Sequence, residues 1–520
     1  MAGRAAFVAD VTATAARTAR AARDRALRGT ARGGLLNLLG AAVAGGGGLA
    51  ITWLAAAGLG ATGAGQFFAA TAAFLVAVAF ARLGTPTGLV YWIARCRTGD
   101  PAGLDTVLRS AVVPVAVAST VTAVVAFTAA PVLSGWKAGG GPEYTAVLRA
   151  LAVFVPAAVA MELLLAATRG FQRMRATVVV DKLGRTLAQL VLLAVTVWWL
   201  ETGPLGVALA WALPYVPAAV AAGWWWRGLR RDRSRRTVAP GPVSAPVTPA
   251  AFWRYTSPRA VAGTAHLLLQ RIDILLVAAM LGFSEAALYT VATRFVTVAQ
   301  LVSGAVGSAV QPRLATSMSG GDLATARTLY QVTTGWIVLV CWPLLLAVGW
   351  SAPWYLSVFG AEYVSWQGVA VVWLLVAGML VATGCGVVDS VLVMAGRGRW
   401  QLYNVVTALA VNVVLNLWLI PAHGVVGAAV AWAVSLALNN VVPLVQLAAG
   451  HRLHPFGTGT GLAAAVAAFW FGAVPAVSLA WWGPTALPET LAVSAVATAA
   501  TALVSRRRLV RPRGDGDAGA

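Results

Sequence analysis

The chain has 520 residues, 59% hydrophobic and 11% charged, with a mean hydropathy of +0.78 and a formal net charge of +21. An ordinary soluble domain carries about 25% charged residues, so this composition excludes a soluble fold of such length. The apolar runs are continuous and not alternating, which argues against a β-barrel and for an all-α polytopic membrane protein.

In chain order, residues 1–33 form a basic segment with seven arginines, too long and too polar for a signal peptide. Fourteen apolar runs follow, each near the ~20 residues that cross a bilayer. They cover 34–58, 65–94, 107–133, 145–168, 177–200, 204–226, 252–281, 284–310, 328–350, 366–394, 400–420, 424–449, 460–481 and 486–504. With the N-terminus inside, 31 of the 38 basic residues fall in inner loops and tails, and only Lys137 and Arg149 fall outside. The positive-inside rule then places both termini on the cytoplasmic side. It also explains the net charge without a nucleic-acid partner. The outer loops, the longest near 134–144 and 351–365, are too short for a catalytic domain. Cys96, Cys341 and Cys385 show no metal or redox spacing and read as small packing residues.

The segment 227–251 is basic and then rich in proline, and it reads as a cytoplasmic linker between two lobes. The lobes are 34–226 and 252–449; spans at 460–504 and a cytoplasmic tail at 505–520 follow. "LAAAGLG" (54–60) matches "LVAAMLG" (276–282), "GVALAWA" (206–212) matches "GAAVAWA" (427–433), and "AATRG" (166–170) matches "MAGRG" (394–398). Offsets of 221 to 228 residues indicate a duplicated six-span unit. Both copies begin inside, so the repeat is parallel, an architecture of transporters that rock about a central cavity.

Charges inside spans are costly, about 2.5–3.5 kcal/mol at the bilayer centre, and so are candidate functional groups. The run "LLLQRIDILLVAAML" (267–281) carries Gln270, Arg271 and Asp273. At ~100° per residue, Arg259, Gly263, His266, Gln270 and Asp273 share one stripe, with Arg271 about 160° away from Asp273. The next span places Thr290, Thr293, Arg294, Thr297, Gln300, Gly304, Ser308 and Gln311 on one polar face. Arg271 and Arg294 each lie ~15 Å from the hairpin turn, near the midplane. Asp273 is expected to balance one arginine, leaving positive charge toward a cavity; a buried network without ligand contact is the other reading. Arg82 is expected to line the cavity. Glu162 and Asp389, at matching places in the two lobes, are candidates for an inner gate or a coupling proton, or for interface salt bridges. Asp181, Lys182 and Arg185 read as interfacial and structural. Asn404, Asn412 and Asn416 read as interhelical hydrogen-bonding groups or, alternatively, as cavity lining. The run Gly45 to Gly48 weakens its helix, for bending or for close packing.

No phosphate-binding loop, H-E-x-x-H or G-x-S-x-G motif occurs. No catalytic, metal-binding or cofactor-binding residues are assigned.

The segments "LLNLLGAAVAGGGGLAITWLAAAGLGATGAGQFFAATAAFLVAVAFARLGTPTGLVYWIAR", "FWRYTSPRAVAGTAHLLLQRIDILLVAAMLGFSEAALYTVATRF" and "NLWLIPAHGVVGAAVAWAVSLAL" resemble bacterial polysaccharide flippases. These belong to the multidrug/oligosaccharidyl-lipid/polysaccharide superfamily, and the resemblance runs over about 35–450. It implies flipping of undecaprenyl-diphosphate-linked oligosaccharides across the bacterial cytoplasmic membrane by alternating access. Anionic lipids and glycan-assembly enzymes are the further partners it suggests. Arginine forks suit phosphate oxygens, so Arg82, Arg271 and Arg294 would meet the headgroup. Fourteen spans is the number implied for peptidoglycan-precursor flippases, but the early basic–acidic pair expected of those is missing from the first span. A multidrug/cation antiporter would want an acidic cavity, and a glycan polymerase or ligase would need a large outer loop.

Overall fold

The structure, a computed structural model, describes residues 2–98, 103–135, 141–234 and 247–510, with side chains over 39–96, 103–135, 141–231 and 247–504. The expected outer Lys137, residues 235–246 of the basic–proline linker and the end of the tail lie outside the described residues. Every regular element among the described residues is helical.

The first half holds α1 (Ala2–Ala81), α2 (Thr85–Thr98), α3 (Gly103–Gly135), α4 (Gly141–Gly170), α5 (Thr186–Trp198), α6 (Pro204–Ala212) and α7 (Tyr215–Ser234). The second holds α8 (Pro249–Met280), α9 (Phe283–Ala292), α10 (Arg294–Ser319), α11 (Leu323–Trp350), α12 (Ala352–Ser357), α13 (Trp366–Gly384), α14 (Val388–Met394) and α15 (Gly398–His451). Then come α16 (Thr458–Ala467), α17 (Val474–Trp482) and α18 (Leu487–Val510). Eleven helices among the described residues are long and apolar enough to cross a membrane.

Two of the eleven are too long for one crossing. The helices Leu39–Cys96 and Gly398–His451, of 58 and 54 residues, would each exceed 80 Å if straight, at ~1.5 Å per residue, against ~30 Å of hydrocarbon. Each breaks at a glycine with left-handed backbone, Gly60 (φ 63°) and Gly424 (φ 58°). Gly48 and Thr52 before the first break line the same cavity as Phe68 and Thr71 after it. Asn404 and Gln446, flanking the second break, exchange hydrogen bonds of 2.9 and 3.0 Å. Both helices are therefore hairpins. The stretch 177–198 is π-helical over Thr177–Arg185 before α5 begins. These three places are where the eleven helices and the fourteen expected spans differ.

The duplicated heptapeptides occupy equivalent places. Gly60 and Gly282 both end a span with positive φ (63° and 113°). Trp211 lines a cavity between the halves, and Trp432 lines the one adjoining it. α4 packs against α1, α3, α6 and α7, while α15 packs against α8 and α13. The C-terminal helices dock on α11, where Trp350 Nε1 donates to the Phe471 carbonyl (2.8 Å) and Thr460 Oγ1 to the Gln331 carbonyl (3.1 Å). α3 exposes Val112, Val113, Val117, Val121, Val124 and Val125, as lipid contact requires.

The halves meet where the second arm of α1, with α2, runs beside α8 and α9. Gly65 packs on the Phe283 carbonyl, and the Tyr144 and Phe283 rings lie 4.6 Å apart. Further along, Thr264 Oγ1 donates to the Ala79 carbonyl (3.3 Å) and Gly84 abuts Ala260. Gly84 has φ +67°, and an added Cβ would sit 2.5 Å from Ala260 Cα. Gly84→Val is expected to lower the thermal stability of the purified protein by about 2 kcal/mol or more, through strain and clash together. Gly60→Ala, with nothing within 4 Å, should cost only the backbone strain of about 1 kcal/mol. Equal melting shifts would contradict this account of the seam.

Candidate functional site: an arginine cavity between the lobes

Two adjoining cavities, of about 230 and 60 Å³, share Arg271, Ile274 and Arg294; the larger lies between the halves, and the smaller is lined by the second half alone. The larger is completed by Gly48, Thr52 and Thr71 of α1, by Arg185 and Gln189, and by Trp211 and Tyr215. The smaller takes Gln270 and Asp273 from α8, Tyr289 from α9, Gln300 from α10 and Trp432 from α15.

Helix geometry puts the two arginines here. Arg271 sits on the face of α8 opposite Asp273, as the ~160° separation requires. Arg294 opens α10 immediately after the helix breaks at Thr293, and its Nε donates to the Thr290 carbonyl (3.0 Å). The break lets the guanidinium reach a carbonyl of the preceding turn. Among the described residues no carboxylate forms a salt bridge with Arg271 or Arg294. Arg271 Nε is buried without a hydrogen-bond partner. Both arginines line both cavities.

Arg185, read from sequence as interfacial, is a third arginine on this cavity. Unlike the others it is neutralised: its Nε donates to Asp181 Oδ1 (2.8 Å), a second nitrogen donates to Gln189 Oε1 (3.0 Å), and the guanidinium lies 4.9 Å over the Tyr215 ring. The signal that could have found it is its position nine residues into the span at 177–200, too deep for an interface. The π-helical turns that precede α5 end at Arg185 itself.

Asp273 does not balance an arginine. It is 1% exposed, and its Oδ1 accepts from Asn412 Nδ2 (3.0 Å) and Asn416 Nδ2 (2.6 Å) of α15. The physical reason is the tight packing of α8 on α15, which presents two amides spaced i, i+4 where an arginine cannot reach. One donor set is thus met, and the Tyr289 hydroxyl faces the same carboxylate, but Asp273 Oδ2, Asn412 Oδ1, Asn416 Oδ1 and the Tyr289 hydroxyl are buried without a hydrogen bond of ordinary length. These four oxygens, with one carboxylate among them, are a donor set suited to a small hard cation.

Gln270 and Gln300 both line the smaller cavity and are exposed; Gln270 Nε2 lies 3.2 Å from His266 Nε2. His266, Thr297, Ser308 and Gln311 are exposed too. Gly65 and Tyr144 pack on Phe283.

The other candidates lie elsewhere. Arg82 is not on the arginine cavity; it bridges Glu162 Oε2 of α4 at 3.0 Å. The turn at Leu83 and Gly84, with φ 49° and 67°, ends the α1 arm there and leaves Arg82 beside α4. Asp389 begins the short α14, half-buried, and forms no salt bridge among the described residues. Its neighbour Ser390 accepts from Gln311 Nε2 at 3.3 Å. The matching sequence positions of Glu162 and Asp389 therefore do not give matching environments.

Residues 31–318 match the family described as "Polysaccharide biosynthesis protein", and 258–418 match "MatE". No curated protein sequence matches the chain. Among solved structures, the lipid II flippase MurJ in an inward closed conformation aligns at TM-score 0.69 and 8% identity, over 92% of this chain and 99% of that one. An inward-facing multidrug resistance MATE transporter of the MOP superfamily aligns at TM-score 0.61 and 15% identity, over 77% and 92%. A MOP-superfamily transporter from Pyrococcus furiosus, titled for the reverse polarity of its binding pocket, aligns at TM-score 0.56 and 15% identity, over 80% and 94%. At these identities the likeness is one of fold.

Proposed function

The chain belongs to the polysaccharide biosynthesis protein family, within the MOP superfamily of flippases and transporters, and on that premise we propose that it flips undecaprenyl-diphosphate-linked oligosaccharides across the bacterial cytoplasmic membrane. The observation that carries this reading is the pair Arg271 and Arg294, two guanidinium groups on one inter-lobe cavity that form no salt bridge among the described residues. A diphosphate would accept their forked hydrogen bonds. Thr52, Thr71, Gln189, Gln270 and Gln300 would meet sugar hydroxyls. The lipid tail would stay in the bilayer. The topology we propose is fourteen crossings with both termini cytoplasmic, counting the two hairpin helices twice and the stretch 177–198 once.

A peptidoglycan precursor carries the same lipid diphosphate. The alignment with nearly the whole of MurJ, C-terminal helices included, supports it as a second reading. A multidrug cation finds less support, since the cavity's uncompensated groups are cationic. We also propose that the oxygens around Asp273 take a small cation whose gradient drives transport. A proton would satisfy Asp273 Oδ2 alone, whereas a cation would engage several of the orphaned oxygens at once.

The test is a vesicle assay with purified protein and lipid-linked oligosaccharide loaded in one leaflet. Exposure of the glycan to a membrane-impermeant glycosidase is expected to rise with the protein present. Equal exposure in protein-free vesicles would reject the reading, and activity confined to a lipid-linked peptidoglycan precursor would select the second.

A further inference from the structure

We propose that a second site, on the arginine-rich face at the seam between α2 and α8, holds the phosphate-bearing headgroup of a membrane lipid. It rests on the membrane reading alone and not on the proposed transport. The site is an open cavity of about 780 Å³, separate from the arginine cavity in its lining. Arg95 of α2 and Arg169 in the last turn of α4 supply its charge, and Tyr91 and Tyr255 its aromatic wall. Arg259, outside the lining, lies 3.7 Å over the Tyr255 ring. Among the described residues no carboxylate lines this cavity.

Three features select a lipid headgroup. First, Arg95 and Arg169 lie in the last turns of helices that lead into the basic loops, the level at which anionic headgroups gather. Second, tyrosines favour this interface, and Tyr91 and Tyr255 stack with centroids 4.0 Å apart and planes 15° from parallel. Third, Pro86, Val90 and Ala94 form an apolar flank that a hydrated free anion would not use but the glycerol and upper chain of a lipid would. The site also joins the halves, since Tyr91, Arg95 and Arg169 come from one and Tyr255 from the other. A bound headgroup would hold this seam closed. The phosphate could come from a bilayer phospholipid or from the lipid-linked substrate.

The experiment reads lipid retained by the full chain in nanodiscs of phosphatidylcholine with a minority of phosphatidylglycerol, by native mass spectrometry. Wild-type protein is expected to retain phosphatidylglycerol selectively. The double variant Arg95→Ala/Arg169→Ala should lose that retention about 30-fold, each arginine having the usual worth of a basic group at an anionic surface. The double lysine variant should restore most of it, which separates lost charge from lost folding. Arg313→Ala, an exposed arginine elsewhere on the same face, should retain lipid as wild type does. Undiminished retention in the double alanine variant, equal loss in Arg313→Ala, or full displacement by inorganic phosphate would each overturn the proposal. Displacement by undecaprenyl diphosphate would assign the site to the substrate, and resistance to it would assign the site to the bilayer's own lipid. Either result comes from binding and stands apart from the glycan-exposure assay.

Discussion

Arg271→Ala and Arg294→Ala are each expected to abolish export of the lipid-linked glycan while the protein still inserts. Each side chain would meet a phosphate in a partly desolvated cavity, where truncating one partner of a charge pair costs about 2–5 kcal/mol, ~30-fold or more in binding. Insertion should survive, because neither arginine forms a salt bridge that holds helices together. Lysine at either position should recover part of the activity, since it keeps the charge and loses the fork. Arg185→Ala is the instructive contrast. It would strip Asp181 of its ion-pair partner and Gln189 of a donor, so its first effect should be lower yield of folded protein. Surface glycan and membrane-fraction blots separate the two outcomes. Wild-type export from both cavity variants would refute the role given to these arginines.

Asp273→Asn is expected to uncouple the protein. The amide nearly preserves the volume but removes the only carboxylate among the orphaned oxygens around it. Glycan movement should then lose its response to an imposed ion gradient, by about tenfold or more if one charged hydrogen-bonding contact is lost. Asn412→Ala and Asn416→Ala should weaken the response in the same direction and destabilise the α8–α15 contact, because each removes a donor to Asp273. Measuring the initial rate with sodium and with proton gradients in vesicles identifies the ion. A gradient response unchanged in Asp273→Asn would remove this cluster from the coupling mechanism.

How far the sequence could be read depended on the physical range of each signal. Hydropathy is local and strong, so the helical membrane fold and the run of spans were legible before any packing was known. The heptapeptides at 54–60 and 276–282 were legible as a matching pair, and both end on a glycine with positive φ. The positions of Arg271 and Arg294 well inside their helices were legible, because distance from the hairpin turn follows from counting residues. Partners were not legible. Whether Asp273 would meet an arginine or the amides of Asn412 and Asn416 depends on how α8 seats against α15, some 140 positions away in the chain. Arg82 misled for a related reason: the chain turns at Leu83 with positive φ, a conformation that leucine does not advertise. The placement of Arg185 on the arginine cavity likewise came from the packing of 177–198 beside α1, which no local pattern encodes.

The most direct test of the central claim compares the affinity of purified protein for undecaprenyl diphosphate with that for neutral undecaprenol. Wild type is expected to prefer the diphosphate by about 30-fold or more, and Arg271→Ala/Arg294→Ala to bind the two lipids nearly equally. A diphosphate preference that persists in the double variant would contradict an anion-accepting cavity built on these two arginines.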